Sequence, residues 1–371
     1  MRKIVDTTFY SKRIGKLPKG CSMCVKGYKL VLFVTGICPR RCWYCPLSLK
    51  KKNKDVIFVN EWQTESFDDL KRELYLTQAK GVGITGGDPL SRIERTEEYI
   101  KFLKKEKGLD FHIHLYTSLD LVDLKKLKIL YDAGLDEIRF HVDFDDTSKW
   151  DKLILAKKYD WDIGIEIPLV MDKESIIYQI CDFFDGRIDF LNLNELEISD
   201  LNSDQMTKRG YEIKEDGSSA VNGSYELGVR VLKYCCDKKF NVHFCSSKLK
   251  DRVQMQNRFK LRGEMTKTQF DLLTDEGLFI RGTLFLKDFD YNKLKDNSYN
   301  KDEILKILYE KKKFLEDEGL EVMIDENKMR IITYYEHVEQ FSKLFKDIGF
   351  VPAIVEQDPT VEACDVNIHY L

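Results

Sequence analysis

Through the first two-thirds of the chain, short apolar runs alternate with longer stretches whose apolar residues recur at helical spacing. The runs fall at 30–34, 81–85, 111–116, 137–142, 163–167, 190–194 and 242–245, and the helical stretches at 63–80, 92–107, 120–133, 147–160, 173–184 and 224–239. A brief apolar run bounded by turn residues reads as a buried strand; a longer periodic one reads as an amphipathic helix. Strand and helix alternating at this length imply a parallel sheet. The expected fold class is α/β, with a full or partial (β/α) barrel over 30–247.

Strand side chains alternate between faces. One face of the third to seventh runs carries Ile113, Leu115, Ile138, Phe140, Ile165, Ile167, Leu191, Leu193, Val242 and Phe244, which should meet the helices. The other carries His112, His114, Tyr116, Arg139, His141, Glu166, Asn192, Asn194, His243 and Cys245. A purely structural barrel interior is filled with branched apolar residues. Burying so many polar groups is costly unless they satisfy one another or a ligand. The interior therefore reads as a binding cavity.

After the barrel, 248–275 is a basic linker or helix with Lys250, Arg252, Arg258, Lys260 and Arg262. It reads either as a cavity mouth for a phosphate-bearing or RNA substrate or as a helix with a solvated face. Residues 276–371 read β-α-β-β-α-β, with strands at 278–286, 320–325, 329–334 and 351–356, helices at 301–318 and 338–349, and a further strand at 365–370. That is the order of a ferredoxin-like α+β domain. A polar insertion, 198–222, is read as a lid or a surface excursion. Residues 1–29 lack periodicity and form an N-terminal segment.

Composition narrows the class. The formal charge of −3 gives no general polyanion-binding signal. No apolar run approaches the roughly 20 residues that span a bilayer, and the first residues lack the apolar core of a signal peptide. A cytoplasmic protein without membrane association is expected. Ten cysteines in such a chain favour metal ligation over disulfides.

Three of those cysteines, Cys38, Cys42 and Cys45, stand at C-x3-C-x2-C just after the first run. Three thiolates on one loop can hold three irons of a four-iron cluster and leave the fourth open. A zinc site or a redox thiol pair are the alternatives, zinc wanting a fourth ligand. One strand-helix unit later comes Gly86-Gly87-Asp88-Pro89, whose glycines let backbone approach a ligand closely.

Together these motifs resemble those of the radical S-adenosylmethionine superfamily. The segments at 21–46, 83–90, 112–117, 134–141, 190–197 and 242–257 are similar to an archaeal-type group related to pyruvate formate-lyase activating enzymes. The resemblance implies a [4Fe-4S] cluster on Cys38, Cys42 and Cys45 whose open iron binds the amino and carboxylate groups of S-adenosyl-L-methionine. One-electron reduction then yields a 5'-deoxyadenosyl radical that abstracts hydrogen from a substrate. It also implies ligand contacts by Gly86, Gly87, Asp88 and Pro89, with Asp88 standing where Glu is commoner. Ser118, Arg139 and Glu166 match positions near the ligand's carboxylate, ribose or adenine, and Tyr44 a position near adenine. A ferredoxin- or flavodoxin-type electron donor is expected.

Cys21, Cys24 and Cys245 are expected to meet at an auxiliary iron-sulfur cluster, with His243 or a substrate atom as fourth ligand; zinc or plain thiols are the alternatives. Cys181, Cys235, Cys236 and Cys364 read as small core residues. The substrate is expected to be a small molecule or modified nucleotide. The alternatives are a glycyl-radical activase acting on a partner protein and a metal-binding RNA adaptor without radical chemistry.

Overall fold

The computed structural model describes residues 1–60, 62–64, 66–215 and 218–371. The chain divides into two compact units, Met1–Arg258 and Phe259–Leu371.

The first unit is built on one 11-stranded sheet. Its strands are β1 (Ile4–Asp6), β2 (Lys12–Ile14), β3 (Lys29–Phe33), β4 (Phe58–Val59), β5 (Trp62–Gln63), β6 (Gly81–Thr85), β7 (His112–Ser118), β8 (Glu137–His141), β9 (Asp162–Pro168), β10 (Phe190–Asn194) and β11 (Asn241–Cys245). They lie in the order β1-β2-β11-β10-β9-β8-β7-β6-β3-β4-β5. From β3 to β11 all neighbours are parallel. Short antiparallel hairpins finish both edges. Among the described residues the edges do not pair with each other, so the sheet is an open, partial barrel.

The helices are α1 (Lys19–Val25), α2 (Phe67–Leu76), α3 (Ile93–Lys107), α4 (Leu124–Ala133), α5 (Glu174–Phe183), α6 (Ser203–Lys208) and α7 (Ser224–Tyr234). Local chemistry sets several ends. Ser66 caps α2 and Asp123 caps α4 by accepting from backbone N–H groups. Gly134 ends α4 at φ 102°, a left-handed conformation that glycine tolerates. Thr147–Lys158 is a run of 3-10 turns rather than the α-helix its pattern predicts.

The alternation read from the sequence is realised. All ten apolar residues of the helix-facing set lie buried in one core. The N-terminal segment, by contrast, contains elements the pattern does not reveal. Its strands are three residues each and α1 is seven, too short to display a period. Helix α1 packs inside the sheet. Gly20 makes that seat possible, because a Cβ there would lie 2.7 Å from the Arg139 guanidinium and the His114 ring.

The second unit is an antiparallel sheet of β12 (Leu272–Leu273), β13 (Phe279–Leu286), β14 (Met323–Asp325), β15 (Arg330–Thr333), β16 (Phe350–Gln357) and β17 (Asp365–Tyr370). Its order is β14-β15-β13-β16-β17, with β12 beside β13. The helix Lys301–Asp317 packs on it through Leu308 and Leu315. The second expected helix is two pieces, Tyr335–Gln340 and Ser342–Asp347. Arg330 is fully buried here and paired with Asp325 and Asp365. Cys364 is exposed, which corrects its reading as a core residue; Cys181 and Cys235 are buried with sulfurs 3.4 Å apart. Among the described residues no helix is long and apolar enough to cross a membrane.

Candidate functional site

A cavity of about 390 Å³ opens at the C-terminal ends of the parallel strands, the end where barrel enzymes build their sites. Cys38, Cys42 and Cys45 line it, together with Tyr44, Gly86, Gly87, Ser118 and Glu166. Its size suits a cofactor-sized ligand.

The cysteine loop leaves β3 and is fastened to the Gly-Gly segment that leaves β6. Gly87 N donates to Thr35 O at 2.7 Å, Asp88 N to Ile37 O at 2.9 Å, and Ser91 Oγ to Ile37 O at 3.0 Å. A Cβ on Gly87 would lie 2.5 Å from Ile37 O, and one on Gly86 2.6 Å from Thr35 O. The glycines are thus required by backbone-to-backbone approach within the protein.

Asp88 and Pro89 do not line the cavity. The buried Asp88 carboxylate accepts from Thr117 Oγ1 at 2.7 Å, Ser118 Oγ at 2.6 Å, Ser118 N at 3.1 Å and Leu90 N at 3.0 Å. Its work is to tie the cysteine-loop support to the end of β7. Ser118 reaches the cavity wall, with its hydroxyl directed to Asp88.

Burial raises the Cys38 thiol to about 11 and also pushes the Cys42 thiol upward. A metal that takes them as thiolates therefore displaces protons. Cys38 Sγ accepts the Arg40 N–H at 3.4 Å. Among the described residues no three His, Cys, Asp or Glu side chains gather closely enough to share a single ion. A four-iron cluster takes each thiolate on a different iron, so three cavity-lining thiols spaced along one loop fit that group.

The inward polar residues form two layers. Tyr116, His141, Glu166 and Asn194 line the cavity, whereas His112, His114, Arg139, Asn192 and His243 are buried beneath it. Arg139, 1% exposed, does not reach the cavity. It donates to Glu166 Oε2 at 2.8 Å, to Glu137 Oε1 at 2.5 Å and to Tyr116 Oη at 3.2 Å. Glu166 also accepts from Asn194 Nδ2 at 2.9 Å. Burial works to raise the Glu166 carboxyl, and Arg139, Asn194 and Lys29 together outweigh it, keeping Glu166 ionised. Arg139 thereby fixes the charge and direction of a cavity-wall carboxylate.

Tyr44 is fixed by a neighbour that sequence reasoning did not name as a site residue. His141 Nδ1 stands 3.2 Å from the Glu166 carbonyl, which can only accept, so Nδ1 carries the proton. Nε2 then accepts from Tyr44 Oη at 2.9 Å. Burial lowers the His141 pKa to about 4, so the ring is neutral near pH 7. Asn194 and His141 already had inward parity. Glu137 shares the parity of Arg139 and could have been found the same way. Arg40, which meets Asp143 at 2.5 Å and the His141 carbonyl at 3.0 Å, gave no comparable signal. Lys250, named in the basic run read as a possible cavity mouth, lines the cavity and meets Glu197 at 2.7 Å.

The insertion contacts the cysteine loop from above. Tyr211 stacks on Trp43 at 5.6 Å and 12°, Arg209 lies over the same ring at 4.2 Å, and Asn202 Nδ2 donates to Tyr44 O at 3.2 Å. Asp216 and Gly217 of this insertion lie outside the described residues.

Cys21, Cys24 and Cys245 do not line the cavity. Cys21 and Cys24 ride on α1, and Cys245 ends β11.

Comparison with known proteins bears on this arrangement. A family model described as the radical SAM superfamily matches residues 32–166. A protein of Methanocaldococcus jannaschii named "Putative glycyl-radical enzyme activating enzyme" is 40% identical over 370 residues, 97% of this chain and 94% of that one. A PqqA peptide cyclase of Methylorubrum populi is 30% identical over 131 residues, 33% of this chain and 30% of that one. A crystal structure of methylornithine synthase overlays 57% of this chain and 66% of its own at 10% identity, with a TM-score of 0.38.

Proposed function

Because this chain belongs to the radical S-adenosylmethionine superfamily, we propose that it is a glycyl-radical activase. Its expected substrate is a glycine of a partner protein. The family implies a [4Fe-4S] cluster and S-adenosylmethionine; when bound, they supply the electron and the carbon radical that removes a hydrogen. Cys38, Cys42 and Cys45 are the proposed cluster ligands. The observation that carries the assignment is their placement, with Gly86, Gly87, Tyr44 and Glu166, around one cavity at the strand ends.

The remaining residues divide the work. Gly86 and Gly87 hold the cysteine loop and present backbone to the cavity. Glu166, kept anionic by Arg139, is positioned to bind hydroxyl or amino groups of the ligand. Tyr44 offers a ring face in a direction set by His141. Asp88 and Pro89 act through the support of the loop, and Ser118 through Asp88. The Trp43–Tyr211 stack shields the loop from water. A ferredoxin- or flavodoxin-type protein remains the proposed electron donor. The strand order of the second unit supports reading it as a ferredoxin-like α+β domain.

The activase reading replaces the small-molecule or nucleotide substrate as the leading one, on the near full-length likeness to a protein named for activation of a glycyl-radical enzyme. The adaptor reading finds no support in the family. The test uses anaerobically reconstituted full-length protein, dithionite, S-adenosylmethionine and a glycyl-radical enzyme labelled with deuterium at its glycine α-carbons. Transfer of deuterium into 5'-deoxyadenosine, with a glycyl-radical signal, is expected. Cleavage without such transfer rejects the activase reading, and absence of cleavage rejects the radical chemistry as well.

A further inference from the structure

Beneath the cavity lies a set of metal-type donors that the site above does not use. Cys21 and Cys24 are three apart on α1, which puts them on one helix face. His243 and Cys245 are two apart on β11, so both project from its inward face. Cys21, Cys245 and His243 are buried, at 5%, 6% and 1% exposure.

The two elements meet at Asn192 of β10. Its Oδ1 lies 2.7 Å from His243 Nδ1 and 3.8 Å from Cys21 Sγ. An amide oxygen accepts, so His243 Nδ1 carries the proton and Nε2 keeps its lone pair. That Nε2 is buried and has no hydrogen-bond partner. A histidine with one ring N–H tied to an oxygen and the other nitrogen unspent has the form of a metal ligand with its outer-shell partner in place. Gln254 Nε2 donates to Cys245 Sγ at 3.8 Å, a contact of the kind that tunes cluster thiolates.

We propose that Cys21, Cys24, Cys245 and His243 hold a second iron-sulfur cluster. A single zinc ion requires four donors about one point, and no three side chains of the described residues are gathered that way. A cluster instead takes each donor on its own iron. Two cysteines from a helix and a cysteine and a histidine from a strand, the histidine with an unfilled ring nitrogen, match the second demand better. The centre sits close under the proposed S-adenosylmethionine site, because Cys245 is in register with Asn194, which bonds Glu166 in the cavity wall. The inference does not depend on the activase reading.

The test begins with the unaltered full-length protein, loaded anaerobically to saturation with iron and sulfide. About eight irons per chain are expected, where one four-iron cluster would give about four; saturation at about four overturns the proposal without reliance on any variant. The Cys38, Cys42, Cys45→Ala triple variant should then keep about half the iron and half the visible charge-transfer absorption. In that background His243→Ala should shift the paramagnetic signal of the reduced centre, and Cys21, Cys24, Cys245→Ala should remove the remaining iron. A folded first triple variant free of iron, or one that holds zinc alone, overturns the assignment.

Discussion

Arg139 and Arg330 lead the largest fully buried side chains of the protein, one in each unit, and their surroundings look alike. Each pairs with two carboxylates: Glu137 and Glu166 around Arg139, Asp325 and Asp365 around Arg330. Each also lies near an aromatic face, Phe190 at 5.3 Å and Phe285 at 5.5 Å. What differs is where the carboxylates lead. Asp365 spends its remaining oxygen capacity on Lys328 and Gln357 inside the unit. Glu166 stands in the wall of a cavity that the cysteine loop also lines. A buried ion pair is therefore no functional signal by itself. An opening beside one of its members is.

The largest expected effect lies on the cavity side. Cys42→Ala should abolish reductive cleavage of S-adenosylmethionine while leaving the urea midpoint nearly unchanged, because Cys42 sits on a loop and is only partly buried. Persistent cleavage in that variant would break the comparison at its root.

Next come the two arginines. Arg139→Met and Arg330→Met each strand two carboxylates, at a cost of about 3–5 kcal/mol, read from urea denaturation. Under conditions where both stay folded, Arg330→Met should bind S-adenosylmethionine normally and Arg139→Met should not. Equal loss in both would erase the distinction. Milder still, Glu166→Gln should weaken S-adenosylmethionine about tenfold, or about 1.4 kcal/mol, whereas Asp365→Asn should leave the affinity unchanged by titration calorimetry.

The smallest effect is a difference in pH response. Burial first, then Arg139 and Lys29, hold the His114 ring well below the ordinary histidine value. Above about 6.5 both folded and unfolded chains leave it neutral. As pH falls below that, the unfolded chain binds the proton first, so stability declines by up to about 1.4 kcal/mol per pH unit. Burial opposes ionisation of Asp365, but Arg330 and Lys328 together outweigh it and keep its pKa low, so that contribution persists until pH drops below about 4. Amide exchange corrected for intrinsic rate should accelerate in β7 between pH 6.5 and 5 and stay steady in β15. A His114→Leu variant with the same slope as the parent would remove His114 from the account.

Much of this was legible in the chain itself. Strict alternation in β7 to β11 sorted Ile113 from His114 and Ile138 from Arg139, since a strand has only two faces. The cysteine spacing singled out one loop. What alternation cannot show is depth along a strand: Arg139 and His141 share a face, yet one is beneath the cavity and the other in its wall. Asp88 likewise gave no hint that β7 would consume its carboxylate, because that contact joins residues 29 and 30 apart. The seat of α1 depends on the missing side chain of Gly20 against Arg139, a long-range fit with no local period. Three-residue strands such as β1 and β2 lie below the length at which a pattern exists.

An open sheet has two rims, and a rim with free backbone groups can recruit a strand from another molecule. Here the outermost pieces, β1 and β5, are three and two residues long. So short a foothold offers an incoming chain few ladder bonds. The molecule thus resists fibrillar stacking at the very margins that incomplete closure creates.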